Sequence, residues 1–125
     1  MYAGIRSVQE FEVNWEEMAM YFMNLMKAKE KEITPGVTIR TAWGDKVMLS
    51  LVRFIPGSNV PNHSHPHEQA GVILEGKSDF TIGNETKQLK SRDTYIIPGG
   101  VEHSVKADQN CVCLDIFHPI REEYK

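Results

Sequence analysis

A chain of 125 residues, 41% apolar and 25% charged, is the size of one globular domain and can build a core without disulfides or a structural metal. Fourteen Lys and Arg against seventeen Asp and Glu leave a net charge of -3, with no basic excess to engage nucleic acid and no block of like charge. No apolar run is long enough to span a membrane, and the N-terminal MYAGIRSVQEFEV lacks the apolar centre of a signal peptide, so a cytoplasmic location is expected.

Residues 1–34 read as a helical leader. Asn14 followed three residues later by Glu17 resembles a capping box, and Trp15, Met18, Phe22, Leu25 and Met26 recur at helical spacing. Lys27, Lys29 and Lys31 fall at the favourable end of the helix dipole, and Pro35-Gly36 stops the pattern, which predicts a helix over about 14–32. Met18, Met20, Met23 and Met26 make this segment rich in soft, adaptable side chains, suited to packing on the body, to a second subunit or to a lid.

Residues 35–125 carry short β-branched and aromatic runs separated by turns. The predicted strands are 37–43, 47–55, 69–75, 79–83, 93–98 and 111–117, with a two-residue hairpin at Gly83-Asn84. Strands at this spacing with no helix between them predict an all-β, antiparallel sandwich or small barrel. Cys111 and Cys113 share one face of one strand, which is poor geometry for a disulfide, so both are expected as reduced core residues.

The most specific signal is histidine. In His63-Ser64-His65-Pro66-His67, side chains two apart on a strand face the same way, so His63 and His65 can converge on one ion. The same parity carries His67 and Gln69 and turns Glu68 away; His103, beyond the Pro98-Gly99-Gly100 turn, can return to the same point. In the last strand, Cys111, Cys113, Asp115 and Phe117 share one face and Val112, Leu114 and Ile116 the other, so the strand is expected to be buried on both sides. A buried carboxylate needs a partner or a chemical role. For Asp115 that is either a structural pair with Arg121 or acid–base work beside an Arg121 anion clamp. Arg40 and Arg53 are expected to face solvent.

The spacing Gly57-x5-His63-x-His65-x3-Gln69-x6-Gly76 resembles the first cupin motif, with Gln69 where the family has Glu. Pro98-x-Gly100-x2-His103 resembles the second motif, with Arg92 in place of its opening Gly and Ala107 in place of its closing Asn. The resemblance covers about residues 36–119 and implies a single antiparallel cupin barrel, a double-stranded β-helix of jelly-roll type, that binds a divalent ion through His63, His65, Gln69 and His103. Iron, nickel, manganese and zinc all suit imidazole and amide ligands. Such a ligand set is neutral, leaves the ion its full charge, and favours an anionic substrate.

HSHPHEQ, LEG, IGNET and LDIFHPIREEY are similar to the KdgF-type cupins of pectin and alginate breakdown, which convert 4,5-unsaturated uronate monosaccharides to linear keto sugars. That resemblance implies catalytic roles for Asp115, Phe117 and Arg121, although the leader is longer and His118 replaces a small residue in the terminal motif. The alternatives are another metal-dependent cupin enzyme (dioxygenase, lyase or isomerase) on a small anion, and a non-catalytic small-anion binder. Barrels of this kind commonly pair through a sheet edge or a terminal segment, so a homodimer is expected.

Overall fold

The computed structural model describes residues 21–125. The Asn14–Glu17 cap and the stripe through Trp15 and Met18 lie outside the described residues. Among those described, the chain forms nine strands: β1 (Lys31–Thr34), β2 (Val37–Trp43), β3 (Met48–Phe54), β4 (Asn59–His63), β5 (Glu68–Ile82), β6 (Glu85–Lys90), β7 (Thr94–Ile97), β8 (His103–Lys106) and β9 (Cys111–His118). Every pairing is antiparallel, and the hydrogen-bonded path runs β1-β2-β3-β9-β5-β8-β4, with β6 and β7 also on β5.

β5 joins the barrel. Its first half pairs with β7 and β9, its second with β6 and β8, so one strand passes from one sheet into the other. The sequence pattern splits this segment in two at Gly76, yet Gly76 is where the strand bends rather than ends. A register shift falls between Ile73 and Glu75, and Gly76 adopts φ +77, a region that side chains disfavour. A Cβ there would also run into the Asn110 carbonyl. Gly76→Ala is therefore expected to destabilise the barrel by at least about 1–3 kcal/mol, read as a lower urea midpoint.

Strands β1, β4, β6 and β8 were not legible as strands. β6 is ETKQLK with only Leu89 buried, β4 carries Pro61, and β1 and β8 span four residues each. Short, polar or proline-bearing edges lack the alternation that marks a half-buried strand. The Gly83-Asn84 hairpin is as expected, with Ile82 opposite Glu85.

The expected helix is absent over its described part. Asn24 caps a single 3-10 turn at Leu25–Lys27, and Arg40 donates to the carbonyls of Met26 at 3.2 Å and Ala28 at 2.6 Å. The chain then enters β1, and Pro35-Gly36 is the turn into β2 rather than a helix stop. Backbone pairing to β2 outweighs the helical periodicity of the side chains, as tertiary context commonly does. Among the described residues the sheet thus begins at Lys31. No helix among the described residues is long and apolar enough to cross a membrane.

Val37, Ile39, Val52, Phe54, Ile73 and Ile97 form the centre of the core, with both reduced cysteines buried among them. β9 follows the predicted parity on its inner face, where Cys111, Cys113, Asp115 and Phe117 are all buried. Its outer face differs from expectation: Val112 and Leu114 are half-buried and Ile116 is 41% exposed, because no layer among the described residues covers it.

Candidate metal centre

β4 and β8 place His63 directly opposite His103, and the loop after β4 brings His65 beside both. One ring nitrogen from each of the three lies within 4.8 Å of the others. The strand carrying His63 stops there, so His65 reaches the site from the 64–67 loop and not by strand parity. Parity does hold at the start of β5, where Gln69 is buried and Glu68 is exposed.

Each imidazole is fixed by its outer nitrogen. The Nδ1 atoms of His63, His65 and His103 lie 2.9, 3.0 and 2.9 Å from the carbonyls of Pro61, His67 and Val101. Only a protonated Nδ1 can donate to a carbonyl, so in the neutral ring each Nε2 carries the lone pair a metal requires. Burial pushes the His103 pKa down to about 4 and lowers that of His65, helped there by the Arg121 charge. Both rings are therefore neutral and ready to ligate.

The residues fit an ion on two further observations. His103 Nε2 is buried without a hydrogen-bond partner. His65 Nε2 lies 3.1 Å from Gln69 Oε1, two electron-pair bearers face to face. Two ligand atoms each about 2.1 Å from one ion at a right angle stand about 3 Å apart. Gln69 also stands near enough to Asp115 to lower its pKa. The three histidines can hold a metal ion, with Gln69 placed as a fourth donor.

Asp115 and Phe117 follow on the inner face of β9, and Arg121 lines the same cavity. Asp115 is buried, and desolvation pushes its carboxyl up to about 6 against the hydrogen bond from Tyr95 and the nearby Gln69 amide, which lower it. Phe117 packs edge-on against His65 with ring centroids 5.8 Å apart. The Arg121 guanidinium lies 4.0 Å from the Tyr124 ring centre and 5.3 Å from that of Phe117.

The structural pair weighed for Asp115 and Arg121 does not form. Arg121 Nη2 instead meets Glu123 Oε2 at 2.9 Å, and Tyr95 Oη donates to Asp115 Oδ1. Arg53 is exposed as expected, whereas Arg40 is half-buried against the carbonyls it caps. Tyr95, Glu123 and Tyr124 are the site residues that sequence reasoning missed. One signal for Tyr95 was present: Gly71, a glycine inside a strand, marks a close approach.

Residues 50–117 match the pattern described as Cupin domain, more than half of the chain. The chain is a cupin. It is 32% identical over 74 residues to H2HPP isomerase of Bacillus subtilis, covering 57% of this chain and 30% of that protein, so the cupin spans under a third of that relative's length. Among solved structures it is similar to an RmlC-like cupin from Shewanella frigidimarina, with a TM-score of 0.79 at 22% identity over 83% of this chain and 95% of that one. KdgF from Halomonas sp. gives a TM-score of 0.75 at 22% identity, covering 82% of this cupin and 96% of that chain. At such identities these structures establish the barrel and nothing about substrate.

Proposed function

We propose that this cupin converts a 4,5-unsaturated uronate monosaccharide into its linear keto form. The observation that carries the reading is the cluster of His63, His65 and His103, with Gln69 beside it, at a cavity that a buried carboxyl and a buried guanidinium also line. A divalent ion held by His63, His65, His103 and Gln69 supplies Lewis acidity and a positive anchor for an anionic ligand.

Arg121 pairs with the uronate carboxylate, for which its planar fork is suited. Asp115 accepts the proton of the anomeric hydroxyl as the bond from C1 to the ring oxygen breaks, leaving an aldehyde and, on the former ring oxygen, an enolate. Asp115 then returns that proton to C4, and the enolate becomes the C5 ketone. Reactant and product are isomers, so no oxidant, reductant or co-substrate is consumed. Phe117 packs on the sugar and keeps water from the enolate.

A second reading is supported by the cavity wall. Ile33, Ile39, Val52, Phe54 and Val60 make one side apolar, which suits isomerisation of an anion with an apolar body, and the Bacillus subtilis relative is named an isomerase. The test is loss of alkene absorbance from lyase-generated unsaturated uronate. Metal-loaded wild type is expected to accelerate it, while chelator-treated protein and His63→Ala are not. Equal rates with and without the protein, at full metal occupancy, remove the uronate and leave the apolar-bodied anion.

A further inference from the structure

We propose that Tyr95 is a positioning residue for this reaction, reaching across Gly71 to hold the Asp115 carboxylate in place. The inference rests on the uronate reading, in which Asp115 is the proton carrier. Its structural basis is one row of the barrel wall. Asp115 on β9 faces Gly71 on β5, and Gly71 faces Tyr95 on β7. Strands stand about 4.8 Å apart, so Tyr95 and Asp115 are two strand spacings from each other.

A tyrosine can bridge that span only if the middle residue has no side chain. A Cβ on Gly71 would overlap Cζ and Oη of Tyr95. The ring is braced on its other side by Phe80, with centroids 4.5 Å apart, and Tyr95 is buried. The neighbouring row is Phe117, Gln69 and Ile97, so Asp115 stands beside the donor set.

Asp115 has few ways to be held. No ion pair to it forms among the described residues, since the adjacent cation Arg121 is engaged by Glu123. Ser50, opposite Asp115 on β3, has a buried hydroxyl with no partner. Among the described residues, Tyr95 is therefore the side chain that donates to the carboxylate. Burial and the charge of Asp115 drive the Tyr95 phenol far above its ordinary range, so it donates and does not give up its proton. Without that hydroxyl the carboxylate can rotate away from the substrate, and a misplacement near 1 Å can slow a reaction by about 10²-fold.

The experiment compares metal-loaded wild type, Tyr95→Phe, Asp115→Asn and the double variant on the unsaturated uronate, with bound metal measured in each. Tyr95→Phe is expected to lower kcat by about 10- to 100-fold with KM and metal content unchanged. The double variant is expected to be no slower than Asp115→Asn alone, because Tyr95 acts only through Asp115. If Tyr95→Phe does not fold, Gly71→Ala decides, since it keeps the hydroxyl but displaces the ring, and its kcat is expected to fall likewise. Wild-type kcat in the folded Tyr95→Phe variant, or losses that multiply in the double variant, overturn the proposal. A metal-loaded wild type that leaves the uronate unchanged overturns the uronate reading, and the proposal with it.

Discussion

Asp115→Asn lowers kcat by about 10²- to 10⁴-fold while the protein keeps its fold and its metal. Asn has the same shape and still accepts from Tyr95, so the change removes a proton-carrying group and little packing. It also removes a charge that the interior resists, since burial is what raises the Asp115 pKa to about 6. Melting temperature at neutral pH is therefore expected to hold or rise, a gain in stability at the expense of activity. Were Asp115 only a structural anchor, the melting temperature would drop and kcat per folded molecule would not. The wild-type pH profile should show the same group. As a base, Asp115 works when ionised, so kcat/KM rises with pH through about 6, or somewhat lower because a nearby cation favours the carboxylate. That limb should vanish in Asp115→Asn.

The barrel and most of its site were legible because their signals are local. The parity of Cys111, Cys113, Asp115 and Phe117 depends only on alternation along one strand, and the inner face of β9 obeys it. The spacing of His63, His65 and His103 converges as read, although His65 arrives by a loop, since loop and strand can deliver the same residue to one point. What could not be read depends on partners distant in the chain. The segment around Lys31 is helical by periodicity and a strand by pairing, and only β2 decides between them. Arg121 and Asp115 look complementary in sequence, yet Glu123 takes the cation and Tyr95 takes the carboxylate. Tyr95 belongs to the site because of register across three strands, and Gly71 alone hints at it. The burial of Gln69 against the exposure of Glu68 is the reverse case, where a one-residue difference in parity is enough to choose the donor.

His103→Ala is expected to weaken metal binding by more than about 10²-fold, measured by titration calorimetry, and to abolish turnover. Its effect on acid stability is just as diagnostic. In the metal-free protein, burial holds the His103 pKa near 4 against an ordinary 6.5, so the unfolded chain takes up a proton that the folded one refuses. That contribution is present above pH 6.5 and is lost as pH falls towards 4. Asp115 acts in the opposite sense: raised from 3.8 to about 6, it stabilises the fold at low pH, and that contribution is lost as pH rises through 6. A shift of that size is worth on the order of 3 kcal/mol. The two contributions overlap between pH 4 and 6 and offset each other, so metal-free wild type should show a shallow dependence in urea unfolding. Without His103 less opposes the Asp115 contribution, the lowered His65 remaining, so metal-free His103→Ala should gain stability relative to wild type on acidification over that range. Metal loading reverses the picture, because a bound ion keeps the imidazoles unprotonated while the unfolded chain still takes up protons. The loaded wild type should therefore lose stability steeply below pH 6.5, and His103→Ala with added metal should not follow it.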